Sequence, residues 1–86
     1  MPKIEMYATA VCPYCVRAEA LLKRKGVTDI VKIMVDSDPA KRQEMETRVP
    51  GARTVPQIFI NGQAVGGCDD IHELDRQGKL DPLLAA

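Results

Sequence analysis

The sequence predicts an α/β fold: a four-stranded mixed sheet with helices on both faces. Two strand-like runs each lead into a helical segment, an Asn-Gly pair separates two short apolar runs, and an amphipathic segment follows near the end. The resulting order is strand, helix, strand, helix, strand, strand, helix. Residues 1–86 read as one domain without repeat, linker or low-complexity segment.

Lys3 to Ala8, with Ile4, Met6 and Tyr7, is the first strand. Val16 to Gly26 reads as a helix: Ala, Leu, Glu and Arg favour it, Lys23-Arg24-Lys25 complements its end, and Gly26 suits a left-handed stop. Ile30 to Val35 is short and β-branched, which reads as a buried strand. Asp38-Pro39 opens a second helix as N-cap and first residue, and Pro50-Gly51 ends it after about Arg48. Gln57 to Ile60, Asn61-Gly62 and Gln63 to Val65 form a hairpin with a two-residue turn. After Gly66-Gly67, Asp69 is placed to cap a last helix that aligns Ile71 and Leu74 and ends near Gly78. Leu80, Leu83 and Leu84 dock the tail, where Asp81-Pro82 starts one more turn.

Composition narrows the function. Lysine plus arginine and aspartate plus glutamate number twelve each, so the formal net charge is zero. The aromatic residues are Tyr7, Tyr14 and Phe59 only. A nucleic-acid binder would carry a basic surplus and stacking platforms, so no nucleic-acid partner is expected. No apolar run reaches the ~18 residues of a membrane span. Met1-Pro2-Lys3-Ile4-Glu5 lacks the apolar stretch of a secretory leader, so the cytosol is the expected compartment. Three cysteines are an odd number, unlike a secreted disulfide scaffold. They are therefore available for chemistry.

Cys12-Pro13-Tyr14-Cys15 lies between a strand and a helix, the context of a redox pair. With Cys12 at the N-cap and Pro13 at the first helical position, Cys15 follows one turn later on the same face. The α-carbons then lie near the ~5–6 Å that a disulfide prefers. Cys12 sits at the exposed end of that turn and Cys15 points back beneath it. Unpaired N–H groups and the helix dipole favour a thiolate at Cys12. An ordinary thiol near pKa 8.5 is only ~3% ionised at pH 7. A fall to ~5 multiplies the ionised fraction about thirty-fold, yet each thiolate becomes about forty-fold less nucleophilic. The gain is as a leaving group: a low-pKa sulfur departs faster when another thiol attacks its partner. A zinc reading competes arithmetically, since Cys12, Cys15, Cys68 and His72 give Cys-x2-Cys and Cys-x3-His. The long gap, the intervening Asp69 and Asp70, and Pro-Tyr at a helix start count against it, and no metal is expected. His72 reads as a solvated helix residue.

Across nearly the whole chain the sequence resembles the glutaredoxins. Cys12-Pro13-Tyr14-Cys15 looks like their dithiol site, Thr54-Val55-Pro56 like their cis-proline loop, and Gly66-Gly67-Cys68-Asp69-Asp70 like their glutathione-binding turn. The resemblance implies a thioredoxin fold, glutathione as reducing co-substrate, and reduction of protein–glutathione mixed disulfides and protein disulfides by a monomer. Cys12 matches the nucleophile and Cys15 the resolving thiol. Tyr14 flanks the site and covers the disulfide. The backbone N–H and C=O of Val55, turned outward beside a cis Pro56, suit an extended peptide such as glutathione. Thr54, Pro56 and Cys68 complete the implied binding set. The N–H groups after Gly67 suit a carboxylate. Asp69 or Asp70 suits an ammonium group, and Gln43 stands near the family's position for a carboxylate contact. One departure stands out: many relatives carry a lysine three residues before the nucleophile, where this chain has Thr9. Arg17, Arg42, Gln43 and Arg53 are the available substitutes.

Two other readings compete with this one. A cluster-carrying dimer goes with a single-cysteine motif, which Cys15 and Pro13 oppose. Supply by a thioredoxin reductase goes with loss of the glutathione turn, which Gly67 to Asp70 oppose.

Overall fold

The computed structural model describes residues 2–85. Strand β1 is Ile4–Ala8, α1 Pro13–Arg24, β2 Ile30–Met34, α2 Pro39–Arg48, β3 Gln57–Ile60, β4 Gln63–Gly66, α3 Cys68–Arg76 and α4 Leu80–Ala85. The sheet order is β2-β1-β3-β4, with β1 parallel to β2 and antiparallel to β3, and β3 antiparallel to β4. The mixed sheet expected from the order of elements is therefore present.

Alternation along the two central strands divides the apolar residues between two faces. Ile4, Met6 and Ala8 of β1 and Ile58 and Ile60 of β3 pack with Ala18, Leu21 and Leu22 of α1, Ile71 of α3 and Leu80 of α4. Tyr7 and Phe59 face the other way and pack with Val35, Ala52 and Met45 of α2. Leu83 and Leu84 close the tail against the first cluster.

The second face also holds a polar clasp. Arg48 donates through Nη1 and Nη2 to the two carboxylate oxygens of Glu5 at 3.1 and 3.2 Å, and Nη1 also donates to the Tyr7 hydroxyl at 3.0 Å. That hydroxyl donates to Glu44 Oε2 at 2.6 Å. The guanidinium stacks 3.7 Å from the centre of the Phe59 ring, whose edge-to-face partner is Tyr7. The hydrogen bond from Arg48 holds the Glu5 carboxyl below the usual glutamate range. Burial, then the hydrogen bond to Glu44, pushes the Tyr7 hydroxyl upward.

One local reading needs correction. β2 is an edge strand rather than a buried one: Val31 is 51% exposed and Lys32, on the opposite face, lies open, so neither face of the strand is fully covered. The first helix starts at Pro13 with Cys12 as its extended N-cap, the placement on which the redox-pair geometry rests, since proline needs no N–H partner there. The Asn61-Gly62 turn is as expected, with φ of 52° and 83°, both positive as a type I′ hairpin demands. Among the described residues no helix is long and apolar enough to cross a membrane.

Candidate active site

Three chain segments converge at one end of the sheet. The first is the start of α1. Cys12 and Cys15 are joined in a disulfide with α-carbons 5.2 Å apart. Cys15 is buried at 5% exposure while Cys12 is partly open, the asymmetry expected from a turn that ends on an N-cap. The Cys15 N–H points at Cys12 Sγ, 3.1 Å away. A helix N–H and the positive end of the dipole thus already face that sulfur, and both would hold a thiolate after reduction.

The second segment enters β3. Val55-Pro56 is a cis peptide bond, as the motif implied. The Val55 carbonyl oxygen lies 4.0 Å from Cys12 Sγ. Sheet pairing begins only at Gln57, so Val55 lies outside the ladder. Gln57, which sequence reasoning missed, donates through Nε2 to the Thr54 carbonyl at 2.9 Å and braces this segment from three residues away. Its place directly after Pro56 was the available signal.

The third segment is the start of α3. Gly67, not Asp69, is the N-cap, and Asp70 reaches back so that its Oδ2 accepts the Gly67 N–H at 2.8 Å. The expected cap fails because the carboxylate acts from the third helical position onto the preceding turn, the reciprocal half of a capping box. Gly66 has φ of 101°, and a Cβ there would lie 2.7 Å from the Asp70 carboxyl carbon. Gly66→Ala is therefore expected to push Asp70 off the cap, with faster hydrogen exchange at the Gly67 amide as the readout. Cys68 is a free, buried thiol. Burial, with Asp69 adding, pushes its pKa up, and Arg17 partly offsets this.

Together the segments enclose a cleft of about 340 Å³ lined by Tyr14, Thr54, Val55, Pro56, Gln57, Gly67, Cys68, Asp69 and Asp70. Tyr14 is half exposed, and Arg17 stacks 5.6 Å from its ring centre. Gln43 is not brought to this cleft: it is an exposed residue of α2, and its carbonyl accepts the Thr47 hydroxyl. Arg42 and Arg53 line a separate concavity with Glu46, Gly51 and Ala52. Of the substitutes for the lysine missing at Thr9, Arg17 is the one beside cleft residues. His72 departs from the solvated reading, since it is half-buried with Nδ1 enclosed and unpaired among the described residues.

The glutaredoxin family model matches residues 4–65. The chain belongs to the glutaredoxin family. This glutaredoxin is 55% identical to a glutaredoxin of Pseudomonas aeruginosa over 86 residues, the full length of both. It is 52% identical to glutaredoxin 3 of Escherichia coli, covering 98% of this chain and 99% of that one. Among solved structures, a buckwheat glutaredoxin–glutathione complex superimposes with a TM-score of 0.83 at 35% identity, covering 98% of this chain and 77% of the other. The thioredoxin fold expected from the motifs is thereby shown. This glutaredoxin is a glutathione-dependent thiol–disulfide oxidoreductase with Cys12 and Cys15 as its redox pair.

Proposed function

We propose that the chain works in the cytosol as a monomer, reducing protein–glutathione mixed disulfides and protein disulfides. Cys12 is the nucleophile and Cys15 the resolving thiol. The observation that carries this reading is the disulfide at the start of α1, one sulfur partly open beside a cleft of tripeptide size.

The Cys12 thiolate attacks the glutathionyl sulfur of a mixed disulfide. The protein thiolate leaves and takes a proton, and Cys12 becomes glutathionylated. A second glutathione thiolate attacks that glutathionyl sulfur, releasing oxidised glutathione and the Cys12 thiolate. With a protein disulfide, Cys12 attacks one sulfur and frees the other. Cys15 then attacks Cys12, which releases the protein thiol and leaves the Cys12–Cys15 disulfide. Two glutathione molecules reduce that disulfide in succession. The short reach from Cys12 to buried Cys15 favours this second route.

In the cleft, the Val55 backbone pairs with glutathione as an added strand would, and Thr54 and Pro56 shape that wall. The free N–H groups of Cys68 and Asp69 at the start of α3 hold a carboxylate. Exposed Asp69, with the unspent oxygen of Asp70, takes the ammonium group. Tyr14 and Arg17 close the side nearest Cys12. Gln43 takes part only if the ligand extends beyond the cleft toward α2.

The test couples glutathione, glutathione reductase and NADPH to a small glutathione mixed disulfide. Turnover that saturates with glutathione is expected. Equal turnover from a thioredoxin reductase without glutathione would overturn the assignment.

A further inference from the structure

Residues 9–12 join β1 to α1, and Cys12 is the last of them. Within this loop the Thr9 hydroxyl donates to the Val11 carbonyl at 3.3 Å. The Ala10 N–H donates to Asp36 Oδ2 at 3.0 Å. Asp36 follows β2 on a fixed base, because the Val35 N–H donates to the Ala8 carbonyl at 3.0 Å and the Val35 side chain is buried. Among the described residues, Asp36 is the one side chain from outside the loop that bonds to Thr9, Ala10 or Val11. Val11 is 90% exposed, so packing does not hold that stretch in place.

We propose that Asp36 is a positioning residue for the nucleophile, fixing loop 9–12 through the Ala10 N–H and biasing the Cys12–Cys15 pair with its negative charge. The inference rests on Cys12 being the nucleophile. The Asp36 carboxylate is anchored to the backbone two residues before Cys12, and a negative charge there disfavours a developing thiolate, which belongs to the reduced form. Asp36 therefore favours the disulfide and keeps the pair a better electron donor. The other charges around Cys12 do not duplicate this role. Arg17 is on α1 over Tyr14, and Asp69 and Asp70 lie at the start of α3. Glu19 and Lys32, paired at 3.0 Å, border a smaller concavity of about 170 Å³ that Cys12 and Cys15 also line. Thr9 supplies no charge.

Asp36→Asn keeps an oxygen acceptor and removes the charge, while Asp36→Ala removes both. In the full oxidised chain, Asp36→Asn is expected to keep Ala10 amide exchange within about twofold of the wild type, as a retained acceptor should. Against a glutathione buffer it is expected to shift the dithiol–disulfide constant about threefold toward the dithiol, about 14 mV. Asp36→Ala is expected to speed Ala10 exchange by about tenfold or more. It should also lower kcat with little change in KM for glutathione, because the cleft comes from other segments. The proposal is overturned if both variants leave Ala10 exchange and the redox equilibrium unchanged, or if both lower Tm alone. Wild-type turnover in the same preparation tests the oxidoreductase reading separately, and amide exchange does not depend on turnover.

Discussion

Cys12→Ser is expected to lose turnover of a glutathione mixed disulfide by more than about 10³-fold, as when an enzyme loses its nucleophile. The serine hydroxyl oxygen takes over the N-cap role of the Cys12 sulfur, so α1 should stay intact and the loss should not reflect unfolding. Cys15→Ser is expected to retain that turnover within about threefold, because the second glutathione releases Cys12 without an internal thiol. It should lose reduction of protein disulfides, where a slow-leaving mixed disulfide needs the buried sulfur one turn away. Coupled NADPH oxidation with each substrate separates the two roles, and an active Cys12→Ser would end the assignment. Thiolate absorbance against pH adds a second measurement. Cys12 should ionise below the ordinary thiol value of about 8.5, because the Cys15 N–H and the helix end face its sulfur. A titration at the ordinary value would remove the leaving-group argument while leaving the roles intact.

The second large effect lies on the opposite face of the sheet. Arg48→Met is expected to cost about 2 kcal/mol, less than a fully buried pair because the Arg48 and Glu5 side chains are 28% and 15% exposed. It leaves Glu5 without its two-pronged partner and removes a donor from Tyr7. For a domain this size, that corresponds to a Tm lower by about 8–16 °C. The acid limb of stability should change with it. Glu5 has a folded pKa below its unfolded one, so its contribution is present in full above the ordinary glutamate pKa. It is lost as pH falls through the depressed value. The urea midpoint should therefore fall less between neutrality and about pH 3 in Arg48→Met than in the wild type. Oxidoreductase turnover at neutral pH should be unchanged where the variant is folded.

Much of the fold was legible because local punctuation and long-range packing agree. Asp38-Pro39 and Asn61-Gly62 demand backbone states that few other structures accept, and the chain adopts them there. The edge status of β2 was not legible, since a β-branched run looks the same whether one or two strands flank it. At the site, the cysteine pair and the cleft walls could be read because each is a contiguous motif. The cap on α3 could not, because Asp70 acts on a residue before its own helix. The clasp was hidden for a different reason: Glu5, Tyr7, Glu44, Arg48 and Phe59 come from three elements and meet only once the strands pair. Asp36 was hidden likewise, its partner lying 26 residues away.

The sheet keeps the arginine clasp and the sulfur chemistry on separate sides. A lineage can thus adjust how long the molecule survives heat or proteases by exchanging residues around α2, without retuning which disulfides it opens. Durability and chemistry become separate dials, open to adjustment in either order.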